Sequence, residues 1–133
     1  MSNITDSLDA LIAAPKHHRL LLENEYVRVL DTRIAPGDTV PLHTHRWPAV
    51  HHVISWSDFV RRDEKGAVQA DTRGKPAVPA GTVLWSGPLG PHTLENVGSA
   101  ELHVVSTELK PTSAHASARC SAPCTRCHRP GIP

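Results

Sequence analysis

Gly37 to His45 reads G-D-T-V-P-L-H-T-H, and the two histidines that close this stretch decide how the whole chain is read. Residues two apart on an extended segment share a face. His43 and His45 therefore present two imidazoles side by side, which is half of a metal site. Taken alone, the pair is also what a solvated strand face looks like. A second stretch, Gly81 to Asn96, reads G-T-V-L-W-S-G-P-L-G-P-H-T-L-E-N and offers a third imidazole, His92, just after a Gly/Pro-rich turn. Three histidines from two strands can converge inside a small β-barrel.

Working outward, Pro36-Gly37-Asp38 is a turn, since Pro fixes φ and Gly accepts positive φ. Before it, Arg19 to Ile34 is rich in aliphatic residues and alternates over Tyr26 to Asp31, which predicts strands. After it, strands are expected over 41–47, 50–56, 57–62, 67–71, 82–86, 93–95 and 101–109. Asp63-Glu64-Lys65-Gly66 reads as a hairpin loop and 73–81 as a connection. A short helix is expected over 5–14, capped by Thr5 or Asp6, with a stripe of Leu8, Leu11 and Ile12 and with Pro15 past its end. Many short strands and one helix make an all-β sandwich or barrel.

The 133 residues suit one domain, able to bury roughly two-thirds of its unfolded surface. Apolar content of 39% and charged content of 20% exclude a disordered chain. A formal net charge of +1 gives no electrostatic case for nucleic acid or an anionic membrane. No apolar run approaches the roughly 18 residues of a membrane span, and the acidic N-terminus does not read as a leader. A cytoplasmic location is the expectation. From Pro111 onward periodicity gives way to Ser, Ala, Pro, Arg and Cys, which reads as a disordered tail. Cys120, Cys124 and Cys127 all lie there, so the body needs no disulfide. Cys124-Thr-Arg-Cys127-His128 spells a haem-attachment pattern, but neither a surrounding fold nor an export signal accompanies it, and the cysteines read as accidental or weakly metal-binding.

The two histidine stretches resemble the cupin superfamily, whose motifs run roughly G-x5-H-x-H-x3/4-E-x6-G and G-x5-P-x-G-x2-H-x3-N. Gly37 stands six residues before His43, Gly81 eleven before His92, and Asn96 four after it, while Pro88-Leu89-Gly90 has slipped by one place. The resemblance spans about residues 19–110. It implies a double-stranded β-helix, or jelly-roll barrel, over 17–110, after an N-terminal helix and linker (1–16) and before the tail (111–133). It also implies a divalent metal on His43, His45 and His92, with Zn, Fe, Ni, Cu and Mn all open. The run H-T-H-R-W-P-A-V, then S-D-F-V-R-R-D, resembles the small single-domain cupins of β-alanine degradation. That likeness implies small-molecule metabolism, a small carboxylate or amino-acid-derived ligand, and a homodimer. As an enzyme the protein would be a metal-dependent oxidoreductase of dioxygenase type or an isomerase or lyase. Otherwise it would be a non-enzymatic binding cupin with a degenerate or empty site.

One departure stands out. The glutamate of the first motif falls at Ala49 or Val50, and neither binds a metal. Three histidines alone would leave the ion's charge uncompensated, weaken Fe(II) and Mn(II) most, and draw an anionic ligand directly onto the metal. Strand parity turns His51 inward if Ala49 holds the glutamate's place and His52 inward if Val50 does, so both are candidate catalytic residues, as proton shuttle or fourth ligand. Glu95 faces away from His92 by the same parity. His103 is a secondary candidate for the pocket, and His17 and His18 carry no signal in the linker. Trp47, Trp56 and Trp85 read as core, with one as a pocket wall. Arg61 and Arg62 read as solvated, with one able to clamp a carboxylate.

Overall fold

The computed structural model describes residues 7–111. The three cysteines, the tail beyond Pro111 and the caps expected at Thr5 or Asp6 lie outside the described residues. Of the helix expected over 5–14, residues 5 and 6 lie outside the described residues; Ser7 is helical, residues 8 and 9 interrupt it, and a single turn follows, α1 (Ala10–Ala13). Its cap is Asp9, whose Oδ2 accepts from the Leu11 backbone N–H at 3.1 Å. The expected stripe is not the buried face. Ile12 is 64% exposed, while Ala10 and Ala14 are buried. Thr44 N–H donates to the Leu8 carbonyl at 2.7 Å, and Asp9 bridges to Thr44. That close backbone approach admits only small side chains in between.

Nine strands follow: β1 (His18–Glu23), β2 (Val27–Ile34), β3 (Thr39–His45), β4 (Ala49–Ser55), β5 (Phe59–Asp63), β6 (Val68–Asp71), β7 (Val83–Ser86), β8 (Leu89–Asn96) and β9 (Leu102–Leu109). The turns are built as their residues dictate. Gly37 takes φ +82° after Pro36, and Asp38 N–H closes onto the Ala35 carbonyl at 3.0 Å, the geometry of a type II turn. In the β5–β6 hairpin Asp63 Oδ1 accepts from the N–H groups of Lys65 and Ala67 at 2.8 and 2.9 Å. The strands form a five-stranded sheet, β1-β2-β9-β4-β7, and a four-stranded sheet, β3-β8-β5-β6, with every pairing antiparallel. The sheets face one another around a cavity. Ile34, Leu102 and Val104 line it from the first sheet, and Val40, Phe59 and Leu94 from the second. Ile34, Val40 and Leu102 are nearly fully buried, and each contributes roughly 1.5–3 kcal/mol.

Two irregularities on the β3–β8 pair aim the histidines. Between Val40 and His43 the register shifts, so Val40 and His43 both reach the cavity although their numbers differ in parity. A second shift sets His43 opposite His92 but His45 opposite Leu89, with Gly90-Pro91 as the extra length. The slipped Pro-x-Gly of the sequence is thus a bulge that re-aims His92. Asn96 serves the fold. Its amide donates to the carbonyls of Ile34 and Ala100 at 2.8 and 2.9 Å, and its Oδ1 accepts from Ser57 Oγ at 2.7 Å and Gly98 N–H at 3.0 Å. Gly98 must be glycine there, because a Cβ would fall 2.8 Å from the Asp58 nitrogen and closer still to the Ser57 hydroxyl.

Candidate metal centre

Five imidazoles line the cavity, and four of them stand ring to ring. His43 and His45 come from β3, His92 from β8 and His18 from the first position of β1. Ring centroids lie 4.2 Å apart for His43–His92, 4.9 Å for His43–His45, 5.0 Å for His18–His43, 5.4 Å for His18–His45 and 5.7 Å for His45–His92. One ring nitrogen from each of His18, His43 and His45 lies within 4.8 Å of the other two. His18, read from the sequence as an uninformative linker residue, is therefore part of the cluster. Its Nδ1–H donates to the Ala14 carbonyl at 2.9 Å, so the short helix sets its ring. Next to it, His17 is tied to Asp38 at 2.7 Å and points elsewhere.

Every ring is held at the same atom. Nδ1–H of His43 donates to the Pro41 carbonyl at 2.7 Å, that of His92 to the Gly90 carbonyl at 2.8 Å, and that of His45 to Glu108 Oε2 at 3.0 Å. With His18, Nδ1 is the donor in all four rings, and wherever the ring is neutral Nε2 is left as the free lone pair. Burial is the first cause holding His43 down from 6.5 to about 2, helped by the charges of His92 and His45 against the pull of the Pro41 hydrogen bond. Burial also holds His18 and His92 down to about 4, in both cases against a backbone hydrogen bond that favours the charged form. Neutral imidazoles with one nitrogen tied and the other free are what a divalent ion needs at about 2.0–2.1 Å. The residues present fit such an ion.

The carboxylate expected at Ala49 or Val50 comes from another strand. Ala49 is the inward residue, buried and paired across the sheet with Glu108 of β9. Glu108 is 1% exposed, and its Oε1 accepts from Arg28 Nε at 2.7 Å while Oε2 takes His45. Arg28 in turn grips Asp9 through both terminal nitrogens at 2.9 Å. Burial alone would raise the Glu108 carboxyl, but the hydrogen bonds from His45 and Arg28 outweigh it and hold the group below its ordinary range. Two carboxylates and one guanidinium leave a net negative charge behind His45. The glutamate missing at Ala49 and Val50 thus has a counterpart on β9, one hydrogen bond behind the His45 ring, which it orients.

No family model matches the chain, and no curated protein matches it. Solved structures do. A cupin domain from Bordetella pertussis Tohama I superposes with a TM-score of 0.57 at 20% identity, over 70% of this chain and 91% of that one. The chain has the cupin fold. An RmlC-like cupin family protein with a double-stranded β-helix fold from Methanocaldococcus jannaschii gives 0.50 at 13% identity, over 74% and 84%. The polyketide cyclase RemF from Streptomyces resistomycificus gives 0.50 at 16% identity, over 73% and 67%.

The cupin cavity has a volume of about 240 Å³. Parity settles the two candidate catalytic histidines. His51 lines the cavity, and His52 is exposed on the other face. His51 is held between two hydroxyls, Nδ1 with Ser106 Oγ and Nε2 with Ser86 Oγ, both at 2.7 Å. Both of its nitrogens are engaged, whereas the ring nitrogens that approach one another belong to His18, His43 and His45. His103 lies outside the cavity, bonded to Asp31 at 2.6 Å. Glu95 pairs with Arg62 at 3.0 Å on the outer face. Trp56 and Trp85 wall the cavity, whereas Trp47 packs under the Arg28, Arg46 and Lys110 cations.

A pH dependence follows. Since the folded metal-free protein holds His18, His43 and His92 below their unfolded value of 6.5, the unfolded chain binds more protons as pH falls below 6.5. Stability is complete above about pH 6.5 and declines towards pH 4, by about 1.4 kcal/mol per unit for each group fully engaged. Unfolding free energies of metal-free protein from urea titrations at about pH 7.5 and pH 5 should differ by several kcal/mol in this direction. Saturating divalent ion should move the loss to lower pH, because protons must then displace the ion.

Proposed function

We propose that this cupin binds one divalent metal ion through His18, His43, His45 and His92 and acts there on a small carboxylate or amino-acid-derived metabolite. The observation that carries the reading is the common anchoring of the four rings, each held at Nδ1 by a carbonyl or carboxylate oxygen, with burial keeping His18, His43 and His92 neutral. An all-imidazole set suits Zn, Ni or Cu better than Mn or Fe, which sit lower in the affinity order and gain most from a carboxylate ligand. When bound, the ion supplies Lewis-acid polarisation of a carbonyl or carboxylate oxygen, which favours isomerase or lyase chemistry over dioxygenase chemistry. The chain's own residues do the rest. Glu108 keeps the His45 ring oriented, the Trp56 and Phe59 walls exclude water, and His51 between Ser86 and Ser106 is placed to pass a proton along a hydroxyl pair.

The resemblance to β-alanine-degradation cupins supplies a first compound to test, β-alanine itself. Metal-loaded protein incubated with β-alanine and simple three- to five-carbon acids should convert at least one of them. Unchanged recovery of an acid that nevertheless binds would favour the second reading, a binding cupin without turnover. One observation speaks for that alternative: both His51 nitrogens and both Glu108 oxygens already have partners, so neither is a free base. The protein is further proposed to be cytoplasmic and homodimeric. Among the described residues no helix is long and apolar enough to cross a membrane. On the edge strand β1, Leu20, Leu21 and Leu22 are 44%, 45% and 50% exposed, a row suited to a second copy. Light scattering that gives a monomer mass would remove the dimer.

A further inference from the structure

The two arginines of the β5 hairpin look alike in sequence and part company in the fold. Arg62 faces out and is neutralised by Glu95. Arg61 faces in. It lines the cavity beside Phe59 and stands opposite Leu94, one inward place along β8 from His92. Diagonal neighbours of this kind are roughly 7–8 Å apart, within reach of an arginine side chain. Of all residues lining the cavity, Arg61 alone carries a permanent charge, and none is acidic. Among the described residues its only hydrogen bond is from Nε to Gln69 Oε1 at 3.1 Å, which leaves both terminal nitrogens without an acceptor. Arg61 is part-buried, its bond to Gln69 lies at an exposed position and neither terminal nitrogen is a buried orphan, so the fork is solvated when empty and is open to an incoming anion.

We propose that Arg61 is the specificity-determining residue of the cavity, fixing the carboxylate of a small acid whose apolar body lies against Phe59, Trp56 and Leu94. The planar fork matches a carboxylate and not a neutral amide. A volume of about 240 Å³ falls below the roughly 300–1,000 Å³ of pockets for drug-sized ligands, so the acid is short or carries a single ring. This inference rests on the cavity being the ligand site. It replaces direct attachment of the carboxylate to the metal with attachment at Arg61, leaving the other end of the ligand towards the histidines.

The test compares acids with their neutral isosteres. Full-length protein, both metal-free and zinc-loaded, is titrated by ligand-observed NMR with benzoate and benzamide and with butyrate and butyramide. The parent should prefer each acid to its amide, and Arg61→Met should weaken the acids by about 10- to 100-fold, as expected for loss of a charge-assisted pair. The amides should be unaffected, and Arg61→Lys should recover part of the loss. Zinc content of Arg61→Met should equal that of the parent, which shows that the variant is folded and its histidines intact. Equal binding of acid and amide by the parent, binding of neither, or retention of acid affinity within about twofold in Arg61→Met would overturn the proposal. Acid binding that needs zinc but not Arg61 would do the same and would place the carboxylate on the metal. If the protein holds no metal and yet selects acids through Arg61, the metal reading fails and this one stands.

Discussion

Alanine at both His43 and His45 is expected to abolish divalent-ion binding while the barrel stays folded. Two of four imidazoles go, and His45 takes with it the hydrogen bond that ties the cluster to Glu108. Four-ligand zinc sites are held by roughly 10–16 kcal/mol, so losing two ligands should cost more than about 10⁴-fold in affinity. The folded barrel does not depend on these rings for its apolar core, which lies among Ile34, Val40, Leu102 and their neighbours. Competition titration with a zinc chelator measures the loss, and circular dichroism checks the fold. A single His18→Ala change separates the four-ring set from a three-ring one. It should weaken the ion by about 10- to 100-fold, and no effect would return the site to His43, His45 and His92 alone. Full metal occupancy in the double variant would place the ion elsewhere.

The largest stability loss is expected from Arg28→Met. Arg28 is buried and holds Asp9 and Glu108 through three hydrogen bonds of 2.7–2.9 Å. Without it two buried carboxylates lose their counter-charge, and removing one partner of such a network typically costs about 3–5 kcal/mol. For a domain of this size that is a fall in melting temperature of more than about 10 °C. Asp9→Asn and Glu108→Gln added to Arg28→Met should recover much of the loss, because the penalty comes from unpaired charge and not from lost volume. Thermal melts of the single and triple variants decide it. A single-variant loss below about 1 kcal/mol would mean that the triad is solvated.

The three histidines that announce the site in the sequence do share the cavity, because strand periodicity and motif spacing both act over a few residues. What stayed illegible acts over longer reach. Glu108 lies 63 positions from the His45 it orients, and nothing local marks it among the alternating residues of β9. His18 looked like linker because its place depends on the carbonyl of Ala14 at the end of a one-turn helix. Within the described part of the expected helix, Leu8, Leu11 and Ile12 have the right spacing, but close contact with β3 selects Ala10 and Ala14 for burial. Strand parity left Ala49 and Val50 open until cross-strand register settled the matter. The bulges at Pro41-Leu42 and Gly90-Pro91 break parity altogether, and only register reveals them. Arg61 and Arg62 are adjacent and identical in kind, so which one faces in is decided by the pairing of β5 with β8.

The most direct test of the metal centre is elemental analysis of full-length protein purified without an affinity tag, followed by zinc titration of the chelator-stripped material. One divalent transition ion per chain, or stoichiometric zinc uptake by the stripped protein, is the expected result. Protein that contains no such ion and takes up none on titration would contradict it.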